Sequence, residues 1–375
     1  MSRDKLLFTP GPLSTSATVK QAMLRDLGSR DAEFLLLIKE IRDRLLELGQ
    51  VRDGSYEAVL MQGSGTFAVE SVLSSVIPRG GKLLVAINGA YGHRMGQIAT
   101  VLGISCKSII FDEAYPIHVE RVRAAIANDP SITHVAAVHC ETSTGIWNPI
   151  AQLGSSVRES GRIFIVDAMS SFGGIPIDLR RDNIDFLISS ANKCIQGVPG
   201  FAFVLARRDL LQMAESYARS VSLDLVAQWK GLERDAQFRF TPPTHALLAF
   251  WQALQELEEE GGIEARASRY SANRQALIEG MTELGFDAYL APENQSHIIT
   301  SFRFPRSEHF DFSIFYQRLS ELGYVIYPGK VSNTDCFRIG TIGNIFPQDI
   351  QALVGGIRQV LREMQIDSAH SITYV

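Results

Sequence analysis

Seven short apolar runs, separated by amphipathic stretches, constrain the fold of this chain more than any other feature. They are Ala58–Gln62, Lys82–Asn88, Ser108–Asp112, His134–His139, Arg162–Asp167, Asp185–Ser190 and Phe201–Ala206. Each is nearly continuous in Val, Ile, Leu, Ala and Phe, the pattern of strands buried on both faces of a largely parallel sheet. Between them, Thr66–Val76, Arg94–Leu102, Glu120–Asn128 and Ile150–Ser160 carry helical patterns, and Glu33–Leu48 precedes the first strand with another. Exchange of strand for helix along the chain predicts an α/β fold with helices on both faces of the sheet. No internal repeat and no Gly/Ser-rich or Pro-rich linker interrupts the series.

The pattern changes at Thr241-Pro242-Pro243-Thr244. Two long helical stretches follow, Ala246–Glu260 and Ile263–Leu284, stopped by Gly261-Gly262 and Gly285, the residue type that most often ends a helix. His297–Phe304, Ser313–Leu322, Val325–Tyr327, Phe337–Gly340 and Pro347–Gln365 then read as strand, helix, strand, strand and helix. The expected organisation is a large domain over residues 15–245 and a smaller C-terminal α/β domain, with antiparallel character, over 246–375.

The chain has 375 residues, 46% hydrophobic, and a chain of this size buries about 75% of its unfolded surface. Lys and Arg number 36 against 41 Asp and Glu, a formal charge of −5, so no basic excess exists to neutralise a nucleic-acid backbone. Small-molecule chemistry is the expectation. Cys106, Cys140, Cys194 and Cys336 are widely spaced and read as reduced thiols. The apolar residues after Met1-Ser2-Arg3-Asp4-Lys5 give way at Thr9-Pro10, too soon for a signal peptide. No run approaches the ~18 residues of a membrane span, so a soluble, cytoplasmic protein is expected.

Three places carry chemistry. Gly63-Ser64-Gly65-Thr66 lies between a strand and a helix, where free main-chain N–H groups and the helix dipole suit an anion. With Ala68 it also fits the relaxed dinucleotide fingerprint, but the next strand ends Ala86-Ile87-Asn88 without the acid that would hold a ribose. A lone phosphate fits better; a plain strand-to-helix turn is the bland alternative. Asp167 ends an apolar strand, where open α/β sheets bind ligands; alternatively it caps the segment containing Ser170 and Ser171. Lys193 follows another apolar strand, and desolvation there lowers an amine's pKa and frees it for Schiff-base chemistry. A lysine snorkelling from a sheet edge is the alternative. Together, a phosphate cradle, a carboxylate and a strand-end amine are what pyridoxal phosphate needs, the acid keeping the ring nitrogen protonated and the lysine bonding the aldehyde.

The chain resembles the class V, fold-type I pyridoxal-phosphate aminotransferases. The resemblance is carried by Thr9-Pro-Gly-Pro-Leu13, Gln62-Gly-Ser-Gly-Thr-Phe-Ala-Val-Glu70, Asn88-Gly-Ala-Tyr-Gly-His-Arg-Met95, His139-Cys-Glu-Thr-Ser-Thr-Gly145, Val166-Asp-Ala-Met-Ser-Ser-Phe172, Ser190-Ala-Asn-Lys193, Phe240-Thr-Pro-Pro-Thr-His245 and Phe337-Arg-Ile-Gly340. It implies a large domain built on a mainly parallel seven-stranded sheet, a smaller C-terminal α/β domain, and residues 1–14 packing near the active site. It further implies that Lys193 bonds the cofactor and then shuttles a proton, that Asp167 pairs with the pyridinium, and that Ser64, Gly65, Thr66 and Asn192 hold the phosphate. Tyr91 is the implied stacking aromatic and Thr142 the hydroxyl near the ring oxygen. Thr241 is implied as a phosphate ligand given to a neighbouring subunit, making the active unit a homodimer. Arg338 and Gly11 are the implied substrate contacts. The finer likeness implies 2-aminoethylphosphonate as amino donor and pyruvate as acceptor; alanine–glyoxylate or serine–pyruvate chemistry is the nearest alternative.

Arg338 has the planar fork that suits both a carboxylate and a phosphonate, against the alternative of a structural ion pair. Arg30 stands where this family usually places Trp, and reads either as a cavity charge or as a solvated residue. No metal site is expected: His134 and His139 lack partner spacing, and Cys194 reads as packing. A non-catalytic binding protein on the same fold would need neither Lys193 nor Asp167, and a nicotinamide enzyme is disfavoured by the missing acid.

Overall fold

The computed structural model of the chain describes residues 4–332 and 334–366; Met1–Arg3 and the tail Ser368–Val375 lie outside them. The seven expected strands form one sheet. They are β1 (Tyr56–Gln62), β2 (Lys82–Ile87), β3 (Ser105–Ile110), β4 (Ile132–Val138), β5 (Ile163–Asp167), β6 (Phe186–Ser190) and β7 (Phe201–Arg207), in spatial order β1-β7-β6-β5-β4-β2-β3. β7 runs antiparallel to both its neighbours and every other pair is parallel. Six strands therefore point their C-terminal ends to the same side.

The strand β3 corrects its expectation. It starts at Ser105, holds the sheet edge beside β2 alone, and alternates exposed with half-buried positions instead of being covered on both faces. Its Ile110 is exposed, because a single helix packs on this strand, whereas β1 at the opposite edge is buried.

Helices α1 (Ala32–Leu48), α2 (Gly65–Val76), α3 (Ala90–Val101), α4 (Val119–Ala127) and α5 (Ile150–Glu159) match the amphipathic stretches to within a turn. Helix α6 (Leu225–Asp235) falls outside the predicted elements, although Asp224 caps it and Leu225, Val226, Trp229 and Leu232 bury one face. A continuous core covers both faces of the sheet and reaches Leu257 on α7 (Thr244–Glu259).

A second core is built by α8 (Gly262–Glu283), β8 (Ile299–Arg303), α9 (Phe312–Glu321), β10 (Cys336–Gly340) and α10 (Pro347–Glu363), with the short strand β9 (Tyr327–Pro328) outside it. Phe337 stands at its centre, within 5.4 Å (ring centres) of both Phe286 and Phe315. β8 and β9 flank β10 in a three-stranded antiparallel sheet. The expected strand Val325–Tyr327 is instead split: Tyr324–Val325 pairs in parallel with Leu6–Leu7, while Tyr327–Pro328 pairs with β10. Buried Ile326 is the corner between the two.

The N-terminal segment lies along β10, with Gly340 N–H donating to Phe8 O at 2.9 Å. A Cβ at Gly340 would stand 2.3 Å from the carbonyl oxygen of Thr9, which is main chain and cannot swing aside. Gly340→Ala is expected to cost about 1–3 kcal/mol, as overpacking does, read as a lower urea midpoint. Among the described residues no helix is long and apolar enough to cross a membrane.

Candidate active site

The sequence places its reactive groups just beyond the C-terminal ends of parallel strands, where ligands bind in open α/β sheets. Ser64–Thr66 follow β1, Tyr91 follows β2, Thr142 follows β4, Asp167 ends β5, and Asn192 and Lys193 follow β6. These eight residues line a single cavity of about 230 Å³. Gly11 and Arg338 adjoin it through hydrogen bonds: Lys193 Nζ donates to Pro10 O at 2.8 Å and Gly11 O at 3.5 Å, and Arg338 Nη1 donates to Thr142 O at 2.6 Å. A side chain on Gly11, whose φ is +119°, would fall 2.6 Å from Nζ. Thr241 does not line this cavity; it is exposed, and its carbonyl accepts from Gln62.

Gly65 and Thr66, which open α2, line the cavity; the Ser64 hydroxyl caps no N–H of this turn, and the Phe67 N–H is taken by Ser64 O. Arg94, also lining the cavity, donates from Nη1 to Thr66 Oγ1 at 3.2 Å and adds a cation to the anion seat. Buried Asp167 accepts from Met169 N–H at 2.9 Å through Oδ1. Among the described residues no hydrogen bond reaches its other oxygen. Burial pushes this carboxyl up to about 6, against the opposing pull of the Met169 N–H, Lys193 and Arg94.

Burial also lowers the Lys193 amine from its ordinary value, with Tyr91, Cys194 and Asp167 pulling the other way. The turn that carries Lys193 is gripped from the second core. Arg266 Nη1 and the Tyr270 hydroxyl, both on buried side chains of α8, donate to Cys194 O at 2.8 and 3.1 Å. Cys194 itself packs, donating to Ser170 O, and burial pushes its thiol up to about 12.

Two functional residues escape sequence reasoning. One is Arg94, although it lies inside a quoted motif. The other is buried Glu141, whose Oε1 accepts from the N–H groups of Tyr91 and Gly92 at 3.0 and 2.8 Å. It caps α3 from a distant segment, stabilising the helix end that carries Tyr91 and Arg94. Tyr91 is half-buried. Burial opposes its ionisation, but Thr142, Lys330, Lys193 and Arg338 outweigh burial and lower its pKa.

Other expectations resolve plainly. Arg30 is exposed and does not line the cavity. Asn88, where a ribose acid would stand, is locked with Asn148 by reciprocal hydrogen bonds, Nδ2 of each donating to Oδ1 of the other at 2.8 and 3.0 Å. His139 is buried, held between Trp147 Nε1 and Ser171 Oγ.

The donor set fits pyridoxal phosphate. Free helix N–H groups with Arg94 suit its phosphate, the open oxygen of Asp167 suits a ring N–H⁺, Tyr91 offers a face, and Lys193 offers an amine of lowered basicity.

Comparison with known proteins agrees. Residues 15–321 match the model of the family described as Aminotransferase class-V. The chain is 53% identical over 363 residues to the 2-aminoethylphosphonate–pyruvate transaminase of Vibrio vulnificus, covering 96% of this chain and 99% of that one. It is 53% identical over 357 residues to the protein of the same name from Syntrophobacter fumaroxidans, covering 95% and 96%. Among solved structures it superposes on alanine–glyoxylate aminotransferase from Nostoc sp. with a TM-score of 0.89 at 25% identity, covering 96% of each chain. The ureidoglycine–glyoxylate aminotransferase of Bacillus subtilis shares the fold, with a TM-score of 0.89 at 22% identity over 99% and 97%. A cavity at the C-terminal edge of a sheet, lined by the lysine and aspartate its sequence singles out, thus sits in a chain that belongs to the class-V aminotransferases.

Proposed function

We propose that this aminotransferase uses pyridoxal phosphate to move the amino group of 2-aminoethylphosphonate to pyruvate, releasing phosphonoacetaldehyde and L-alanine, and that it works as a homodimer. The observation that carries the reading is the 53% identity, over 96% of the chain, to the Vibrio vulnificus transaminase named for those two substrates.

The roles proposed for the site residues follow from their chemistry. When bound, pyridoxal phosphate supplies a conjugated electron sink for the carbon that bears the amine. The first turn of α2, with Ser64, Gly65, Thr66, Asn192 and Arg94, holds the phosphate. Asp167 Oδ2 keeps a proton on the ring nitrogen. Tyr91 covers one face, and Thr142 orients the ring oxygen. Lys193 Nζ would take the proton from the substrate carbon that bears the amine and deliver it to the cofactor carbon on the far side of that nitrogen. Thr241, exposed beside Gln62, is proposed to serve the neighbouring subunit's phosphate.

Arg338 binds the anionic end of each substrate in turn. It is buried, and burial lowers its pKa, yet its hydrogen bonds to Pro328 O and Thr142 O fix the guanidinium. Arg338→Ala is expected to lower kcat/KM for both substrates by at least about 10²-fold, since a desolvated charge partner is lost. Initial-rate kinetics with each substrate varied check this, and parallel double-reciprocal lines are expected for alternate release of products.

The test is an absorbance record of the cofactor-loaded protein. Its visible band should fall on addition of 2-aminoethylphosphonate and recover on addition of pyruvate. A band moved only by alanine, serine or glyoxylate would replace the proposed amino donor and leave the family membership intact.

A further inference from the structure

A further cation stands beside Tyr91, a cavity-lining residue over whose ring Arg94 also lies, at 5.0 Å. Lys330, in the segment between β9 and β10, places Nζ 4.6 Å from the centre of the Tyr91 ring. Two residues on, Ser332 donates from its main-chain N–H and its hydroxyl to the two carboxylate oxygens of Glu113, at 2.9 and 2.6 Å. Ser332 and Glu113 are 219 positions apart in sequence, so this contact ties the chain beside Lys330 to the loop after β3. The approach is that of a cation over an aromatic face.

Arg338 alone is poorly matched to two different anions. Its Nε and Nη1 are already bonded to Pro328 O and Thr142 O, at 2.9 and 2.6 Å. It brings one positive charge, which balances a carboxylate. A phosphonate, like a phosphate monoester, carries between one and two negative charges near neutral pH and three oxygens in a tetrahedral array. A lysine ammonium is a compact point charge on a flexible stem, able to meet whichever oxygen the arginine leaves.

We propose that Lys330 is the second cationic ligand of the phosphonate group, the residue that distinguishes a two-charge tetrahedral anion from a carboxylate beside Tyr91. The assignment deepens, and rests on, the proposed amino donor. Arg338 then serves both substrates, and Lys330 serves one. Lys330 is exposed, so its contribution falls with ionic strength.

The test uses two small anions that carry only the distinguishing end groups, methylphosphonate and acetate. Each is titrated by calorimetry, at low salt and pH 8, into the cofactor-loaded wild type, K330Q and K330R. K330Q is expected to bind methylphosphonate about tenfold more weakly, the scale of one charge-assisted contact, while its acetate affinity stays within twofold. K330R is expected to keep most of the methylphosphonate affinity, and high salt is expected to narrow the gap between wild type and K330Q. Equal methylphosphonate binding by wild type and K330Q would overturn the assignment. So would parallel loss of both anions, which would mean that Lys330 acts only through Tyr91. Wild-type protein that binds methylphosphonate no better than acetate would overturn it as well. Failure of the substrate reading shows elsewhere, in a wild-type visible band that 2-aminoethylphosphonate does not move; a selective loss in K330Q would then keep the anion site and reject the donor.

Discussion

Lys193→Ala is expected to abolish transamination, with kcat reduced at least about 10⁴-fold, while the variant still folds. A positioned general base alone contributes about 10²–10⁴-fold, and this lysine is also the only amine lining the cavity among the described residues. The variant keeps the cradle of α2, Arg94 and Asp167, so it should still take up pyridoxal phosphate, but without the visible band of a lysine-bound cofactor. Borohydride reduction separates the two roles. Wild type should gain the mass of the cofactor on the peptide containing Lys193, and the variant should gain none. A variant that retained either the adduct or more than a hundredth of wild-type activity would remove Lys193 from the centre of the site. The structure gives the reason for the choice of residue: Nζ is held by Pro10 O, and its turn is gripped by Arg266 and Tyr270.

Asp167→Asn is expected to have effects of opposite sign on activity and on stability. Activity should fall by about 10³-fold, since a neutral amide does not hold the proton of the ring nitrogen and a preorganised charge is lost. Stability of the cofactor-free protein should rise, and the sign follows from protonation. Burial holds the native carboxyl up at about 6, against an ordinary value of 3.8, so the folded chain keeps a proton that the unfolded chain releases. Stability from this group is complete below pH ~4 and is lost as pH climbs through ~6. The rise of about two units is worth about 3 kcal/mol at about 1.4 kcal/mol per unit. Unfolding free energies of wild type and variant should therefore coincide near pH 4 and diverge by up to about 3 kcal/mol, in favour of the variant, above pH 6. Urea melts across that range measure it. A variant less stable at every pH, with activity kept within tenfold, would make Asp167 a cap for Met169 and nothing more.

Burial on both faces writes itself into each strand's own composition, so six of the seven strands are legible locally. β3 is the exception, because whether helices cover both faces of an edge strand is decided by distant segments: α1 and α6 pack on β1 at the other edge, and α3 alone packs on β3. The two-residue strands at Tyr324–Pro328 are illegible for a related reason: adjacent residues join different sheets, and nothing in their own chemistry says which partner each meets. Lys193 and Asp167 are legible because a charged residue at the end of an apolar strand must face a cleft. Tyr91, Thr142 and Arg338 carry no such signature and enter through family likeness alone. Arg94 and Glu141 lie inside motifs that carry the likeness, yet their roles were legible by neither route, and Lys330 lies outside those motifs; each acts on a residue brought to it by folding. Arg30, read from its oddity as a cavity charge or a solvated residue, is exposed.

What the amino-acid sequence determined by itself is the succession of strands and helices and the points where reactive side chains leave the sheet, because hydrophobic periodicity and strand ends are local. Only the tertiary structure decided which polar groups meet, as when Glu141 caps the helix of Tyr91 from 50 positions away, and how far burial moves their pKa values. Both depend on distances through space between segments that the chain keeps far apart.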